Sequence, residues 1–172
     1  MVLRSSIKKE LDVKKKELDI KKNEIEANKK DLEKLDELEH EIDGLSTELK
    51  QIKYTLLKNS SSGKKIADLA QKFIPNNKEA LIDEKLYKAM EKDIRSIYPK
   101  YKALILEFYP EISISEWQYC CLLIFGLDNK SESRLLCVAP QSVRTRRLRL
   151  RKKLGIELED MSIYEYLIDK II

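Results

Sequence analysis

The sequence of 172 residues contains few of the side chains that catalysis and metal binding use. Its single histidine, His40, lies between two glutamates in a highly charged segment, which favours a solvated surface position. The three cysteines lack the CxxC or other spacing of a zinc site, and the adjacent Cys120 and Cys121 cannot both face one ligand from a helix. We expect all three to be small buried hydrophobic residues in a reducing cytoplasm.

Glycine and long apolar runs are equally scarce. The four glycines form no Gly-rich phosphate loop, no apolar run reaches membrane-spanning length, and no secretory signal opens the sequence. An alternating strand pattern of useful length is also missing, so the predicted fold class is all-α. These absences argue against an enzyme, a cofactor, a bound metal and a membrane span in this sequence.

The first 59 residues instead carry balanced charge and a heptad pattern. They hold 14 Lys or Arg and 14 Asp or Glu, and before Asn59 there is no proline and one glycine. Apolar residues alternate there at spacings of three and four, which predicts the interface of a coiled coil. This stripe, called the seam below, consists of Leu35, Leu38, Ile42, Leu45, Leu49, Ile52 and Leu56. Because a lone helix cannot bury such a stripe, we expect the chain to form a homodimer through it.

The heptad pattern continues upstream of the seam in a weaker form. Its apolar positions are Ile7, Leu11, Leu18, Ile25 and Leu32, and its alternate positions are Lys14, Lys21 and Asn28. Polar residues at these positions lower stability but can fix register and oligomeric state. Two successive spacings of three at residues 32–38 break the phase. The pattern leaves two roles open, a passive dimer clamp or a signal-transmitting helix, and two orientations, parallel or antiparallel.

Composition predicts four segments. Residues 1–58 form the coiled coil, the run Asn-Ser-Ser-Ser-Gly at 59–63 is a flexible linker, 64–110 is a helical connector and 111–172 is a C-terminal helical domain. The last helix of that domain is apolar enough to cap the core and to supply a second dimer contact.

The thirteen residues 141–153, QSVRTRRLRLRKK, contain seven basic side chains and no acidic one. Their charge of +7 exceeds the +4 of the whole sequence, so the other 159 residues sum to −3. The positive charge is therefore local, and it indicates an anionic partner.

At 100° per residue this segment separates into two helical faces. Val143, Leu150 and Leu154 form the predicted buried stripe. The opposite face mixes an amide, hydroxyls, one aliphatic group and guanidiniums, which suits base edges and phosphates in a DNA major groove. The candidate DNA-binding residues are Gln141, Ser142, Arg144, Thr145, Leu148, Arg149, Arg151 and Lys152. A solvated basic face near a helix C-terminus is the alternative.

The sequence before the basic segment predicts two short helices and a turn. Ser113 and Glu116 have capping-box spacing and open an apolar helix containing Trp117, a predicted core residue. Gly126 ends that helix, and Asp128 can cap the next one, which ends at Leu135 and Leu136. Three residues then precede Pro140, which suits the first position of a helix. Helix, short turn and basic helix is the helix-turn-helix plan, so we predict that residues 111–172 are a helix-turn-helix DNA-binding domain.

Residues Ser115 to Ile156, SEWQYCCLLIFGLDNKSESRLLCVAPQSVRTRRLRLRKKLGI, resemble the LuxR-type (GerE-like) helix-turn-helix family. The resemblance extends over roughly residues 79–172, since Tyr109-Pro110 and Ile97-Tyr98-Pro99 match a bacterial variety with such segments before the motif. In that variety a coiled coil often links the motif to a sensor. The resemblance implies a regulator of transcription. Together with the basic face of residues 140–154 and the coiled coil, it predicts a dimer that binds double-stranded DNA sequence-specifically through that helix, with RNA polymerase or an upstream sensor as further candidate partners.

Two departures from the family pattern favour a rival hypothesis. Glu132 and Ser133 replace a buried Ile and an Ala, and a buried carboxylate costs several kcal/mol unless it is paired. Arg134 or a basic neighbour must therefore balance Glu132, or the helix must be rotated. Ala139 replaces a Ser and forfeits an N-cap worth about 1 kcal/mol. In the rival hypothesis, the chain is a coiled-coil adaptor or signalling protein whose degenerate motif binds a protein.

Overall fold

The computed structural model describes the backbone of residues 2–72, 79–157 and 161–172, and the side chains of these ranges from residue 14 onward. These residues form eight helices and no strand, which confirms the all-α prediction. The helices are α1 (Val2–Asn59), α2 (Ser61–Gln71), α3 (Glu84–Ile97), α4 (Tyr101–Phe108), α5 (Ile114–Leu123), α6 (Asn129–Leu136), α7 (Pro140–Lys153) and α8 (Ile163–Ile171). No helix in the described ranges has the length and apolar character needed to cross a membrane.

The chain divides into two units, Met1–Thr47 and Glu48–Ile172. The first unit is the greater part of α1, and the side chains described in it are almost all exposed. The exposed side chains of this unit include four seam residues, Leu35, Leu38, Ile42 and Leu45, and the upstream apolar residues Leu18, Ile25 and Leu32. Ile7 and Leu11 lie outside the described side chains. Nothing in the described residues of this unit covers the apolar stripe.

The second unit holds one hydrophobic core to which every helix from the end of α1 to α8 contributes. Fully buried side chains at its centre are Leu57, Ile66, Met90, Tyr101, Ile105, Leu122, Leu135, Leu154 and Leu167. Leu57 belongs to α1 and is 0% exposed, so the final turns of that helix are part of the compact unit. The unit boundary at Thr47 therefore precedes the boundary at residue 58 that the heptad pattern suggested.

The predicted linker at 59–63 is a fixed corner between α1 and α2. Ser60 caps α2 by accepting a hydrogen bond from the Gly63 amide (3.1 Å), and Ser62 donates from its amide and hydroxyl to Asp93 of α3 (3.0 and 2.7 Å). A Cβ at Gly63 would overlap the carbonyl oxygens of Leu57 and Lys58, so only glycine allows this close approach. Residues 61–63 are thus the first turn of α2, although composition alone indicated a flexible segment.

The ends of α5 and α6 follow the local signals in the sequence. Ser113 and Glu116 form the predicted capping box of α5, and Gly126 ends that region with a φ of +63°. Asp128 caps α6 through the Ser131 amide (2.7 Å). Because α6 packs against both α2 and α7, the α6–α7 segment is continuous with the core.

The closing helix α8 covers the core, as predicted. A capping box of Ser162 and Glu165 starts it, and Ile163, Leu167 and Ile168 are buried. Its outward residues contact other helices of the same unit: Tyr164 packs on Tyr54 with ring centroids 5.9 Å apart. Most of its apolar surface is therefore used within one chain.

Candidate functional site

The basic helix α7 has the two faces that its sequence predicts. Val143, Leu150 and Leu154 are buried against the core. Gln141, Ser142, Arg144, Arg149 and Lys152 are exposed, and Thr145 and Arg151 are half-buried. The helix therefore presents a long polar and cationic surface to solvent, while its apolar stripe fixes its rotation about its own axis.

The turn before α7 is held by backbone geometry and by Ser133. Cys137 ends α6 in the left-handed conformation (φ 50°), which non-glycine residues seldom adopt. The Val138 amide donates to the Ser133 carbonyl (3.1 Å), and the Ser133 hydroxyl donates to the Val138 carbonyl (2.5 Å). Ala139 makes no side-chain cap, as predicted. Ser133 thus fastens the turn that Ala139 leaves without a capping side chain.

Glu132 is 0% exposed, and α7 supplies its counter-charge. The Arg147 guanidinium donates to both carboxylate oxygens, at 2.5 Å from Nη2 and 3.3 Å from Nε. The Tyr119 hydroxyl of α5 donates a third hydrogen bond at 2.8 Å. Arg134 is not the partner, because it donates to the Ala70 carbonyl of α2 (3.2 Å). The sequence left three possibilities open for Glu132: a pair with Arg134, a pair with another basic neighbour, or a rotated helix. The structure shows a pair with another basic neighbour, Arg147.

The Tyr119–Glu132–Arg147 network ties three helices together. Arg147 also donates to the Leu127 carbonyl at 2.7 Å, so both Nε and Nη2 of its guanidinium bond inside the protein. Burial acts to lower the pKa of Arg147, but the hydrogen bond and charge of Glu132 outweigh it and raise that pKa. Burial, followed by the charge of Glu132, raises the pKa of Tyr119. Arg147 therefore stays charged and orients α7.

Three further cations of α7 have partners inside the protein. Lys153 donates to Glu116 (2.5 Å) and to the Tyr109 hydroxyl (2.8 Å). Hydrogen bonds from Lys153 and Ser113 lower the pKa of Glu116 to about 2. Arg146 lies over the Tyr119 ring, 5.1 Å from its centroid. The third is Arg151.

Arg151 differs from its predicted role as an outward DNA contact. It is half-buried, and its Nη1 donates to the Met161 carbonyl at 2.6 Å, just before α8 begins. The helical projection placed it beside the exposed stripe, but the Met161 carbonyl lies against that side of α7. The side chain therefore joins α7 to α8.

Arg144, Arg149 and Lys152 are the remaining cations of α7. They are exposed, and no ion pair within the described residues engages them. Arg149 and Lys152 line an open groove of about 780 Å³ between α5 and α7, together with Ser115, Gln141 and Thr145. The Thr145 hydroxyl donates to the Gln141 carbonyl (3.0 Å), which leaves its methyl group for outside contacts.

Leu148 stands apart from this polar surface. It is 60% exposed and borders a second cleft of about 260 Å³, whose apolar walls come from Leu123, Leu127, Ile163 and Tyr164. An exposed aliphatic side chain beside an apolar cleft suits a thymine methyl group or a protein side chain. The sequence indicated the exposure of Leu148 but not the cleft, because α8 is distant in the chain.

The cysteine and tryptophan side chains that could take part in other chemistry lie mostly in the core. Cys120 and Cys121 are buried, and burial raises the pKa of the Cys120 thiol to about 12, which disfavours the reactive thiolate. Trp117 is half-buried beside Tyr101 at a centroid distance of 6.0 Å. Within the described ranges no group of three His, Cys, Asp or Glu side chains is placed to hold a metal.

Comparison of the chain with protein-family models, curated proteins and solved structures finds no match.

Proposed function

We propose that the chain is a sequence-specific DNA-binding regulator of transcription, with α7 in the major groove. One observation carries this proposal: Arg144, Arg149 and Lys152 project from a helix that buried contacts hold in place, and no acidic group among the described residues neutralises them. Fixed, uncompensated cations suit a polyanion. The resemblance of residues 115–156 to the LuxR-type family supports this function independently.

Each exposed residue has an assigned role in the proposed complex. Arg144 and Arg149 read guanine edges, Gln141 reads adenine, and the Thr145 methyl group contacts thymine. Lys152 and Ser142 bind phosphates. Arg151 and Arg147 contribute by holding the helix. The protein acts as a homodimer through the seam, and the reducing cytoplasm is the compartment that suits its unpaired cysteine sulfurs Cys120 and Cys121.

The primary experiment selects bound duplexes from a random pool and sequences them, then measures affinity for the enriched site across salt concentrations. We expect an enriched motif and a steep fall of log affinity with log salt. Arg144→Ala or Arg149→Ala should weaken the best site by about 1–3 kcal/mol and relax preference at one position, whereas Lys152→Ala should weaken all duplexes and flatten the salt slope by about one. Lys30→Ala removes an equal charge from α1 and serves as the control.

If no motif is enriched from the pool and log affinity hardly changes with log salt, the proposal is overturned. That result would favour a coiled-coil adaptor that binds a protein through the motif, which the exposure of Leu148 beside the apolar cleft supports. Leu148→Ser separates the two functions: it should abolish a protein interaction but change DNA preference at one position only.

A further inference from the structure

The exposed stripe on α1 has the regular positions of a two-helix interface. In heptad notation abcdefg, Leu35, Ile42, Leu49 and Leu56 occupy a positions, and Leu38, Leu45 and Ile52 occupy d positions. Each of these side chains is 41% to 63% exposed in the single chain. Such a stripe needs a second helix, and the charges beside it determine which helix fits.

The charged residues flanking the upstream stripe are segregated by position. With Leu18 and Ile25 at a, the g positions hold Glu17 and Glu24, while the e positions hold Lys22 and Lys29. Across the phase break the order of signs reverses, with Lys34 at g and Glu39 at e. All six side chains are exposed, and the one ion pair recorded for them is Lys29 with Glu33 of the same helix, at 4.0 Å.

We infer that α1 pairs with α1 of a second copy of this chain in parallel and in register. In that arrangement each g residue faces the e residue five positions later on the other helix. Glu17 then meets Lys22, Glu24 meets Lys29, and Lys34 meets Glu39, each twice by symmetry. Every one of these contacts joins opposite charges. The inference specifies the dimer of the proposed function but needs no DNA binding.

The antiparallel alternative brings like charges together. It places g beside g and e beside e, so that Glu17 or Glu24 would approach Glu41 or Glu48 at the g positions of the seam. Some of its other contacts, such as Lys29 beside Glu39, join opposite charges, so the antiparallel contacts are mixed whereas the three parallel g–e contacts are all attractive. In the parallel pair, by contrast, Asn28 at a d position meets Asn28 of the second copy, and the two amides can exchange hydrogen bonds that fix the register. Lys21 also meets its own copy, a like-charge contact that opposes the parallel pair, but the attractive g–e contacts outnumber it. The upstream g and e charges therefore select the orientation, while the seam supplies most of the apolar burial.

Charge reversal of the full-length protein tests the orientation. Glu17→Lys with Glu24→Lys turns four attractive contacts into repulsive ones, and at the usual strength of exposed pairs the dimer should dissociate at least about tenfold more readily in sedimentation equilibrium. Adding Lys22→Glu and Lys29→Glu should restore it. Adding Lys16→Glu and Lys30→Glu instead, at the outward f positions, gives the same net charge and should not restore it.

A cysteine pair gives a second measurement of the same geometry. Leu45→Cys at a d position should form an intermolecular disulfide in a glutathione buffer, because identical d residues face each other in a parallel, in-register pair. His40→Cys, exposed at an f position, is the control and should stay monomeric on a non-reducing gel. Circular dichroism confirms that each variant remains helical.

The outcomes separate this inference from the proposed function. A dimer that tolerates or gains from the Glu17 and Glu24 reversals, or lacks the Leu45→Cys cross-link, overturns the parallel pair while leaving the dimer intact. A monomeric wild-type chain overturns both the pair and the dimer. Salt-dependent DNA binding by α7 is measured separately and survives either result.

Discussion

Glu132 illustrates how one buried charge organises the residues around it. Its carboxylate accepts hydrogen bonds from Arg147 and Tyr119, and Arg147 is itself 32% exposed. Removing one partner of such a pair leaves the other buried without compensation, whereas an apolar pair of similar volume is often neutral or stabilising. The pair therefore contributes orientation of α7 more than net stability.

The Glu132–Arg147 pair should respond differently to single and double substitutions. Arg147→Leu should destabilise the protein by about 3 kcal/mol, the low end for breaking a buried pair because Arg147 reaches solvent. Combining it with Glu132→Leu should recover most of that loss. Thermal unfolding at fixed protein concentration measures both, with Arg149→Leu on the exposed face as the control. Equal losses in the single and double variants would contradict the pairing.

Glu116 links stability to pH at the other end of α7. Its pKa is about 2, lowered from 4.5 by hydrogen bonds from Lys153 and Ser113. Because the folded pKa lies below the unfolded one, the stabilisation is complete above about pH 4.5 and disappears as pH falls toward 2.

Glu116→Gln should therefore be less stable than the wild type at pH 7 and should lose less stability between pH 4.5 and 2. Urea midpoints measured at several pH values test this expectation. Glu107→Gln, which changes an exposed carboxylate on α4, should follow the wild-type profile. If Glu116→Gln lost as much stability between pH 4.5 and 2 as the wild type, the Lys153 contact would not be the origin of the pH dependence.

At the scale of elements, local signals predicted most helix ends. The capping box at Ser113, the cap at Asp128, the proline at the first position of α7 and the two faces of α7 depend on neighbouring residues only, so the sequence contains them. The corner at Ser60–Gly63 and the inward turn of Arg151 depend on Asp93 and Met161, which lie outside the helices concerned. Patterns within one helix carry no information about such partners. For that reason the sequence predicted a flexible linker at residues 59–63 and an outward-facing Arg151 that contacts DNA.

The start of α7 offers an element-scale prediction. Ala139 is exposed and has N-cap geometry (φ −62°, ψ 146°), yet no side chain caps the helix. Ala139→Ser should accept a hydrogen bond from an amide of the first turn and raise stability by about 0.5–2 kcal/mol. Ala139→Gly adds no acceptor and is the control. Unchanged unfolding of the serine variant would mean that the Ser133 contact already satisfies this turn.

At the scale of the whole molecule, the seam and the compact unit overlap along α1. Leu57 and Tyr54 pack into the core, while Leu49, Ile52 and Leu56 of the same turns remain exposed. The last turns of α1 thus belong to the folded unit, and α2 follows them from Ser61. A truncation that tests the role of the seam must therefore stop at Thr47, the unit boundary.

Removing residues 1–47 should leave a folded helical protein that is monomeric, since one remaining heptad is too short to hold two helices together. Its affinity for a duplex with two half-sites should fall by a factor of about 10² to 10⁴, because the second binding event is no longer intramolecular, while affinity for one half-site should change little. Removing residues 1–59 should in addition lower the unfolding temperature, since that truncation deletes Leu57 from the core. Sedimentation and anisotropy with one- and two-half-site duplexes measure these effects. If the truncated chain stays dimeric and keeps its preference for two half-sites, the dimer contact lies in the compact unit and not in the seam.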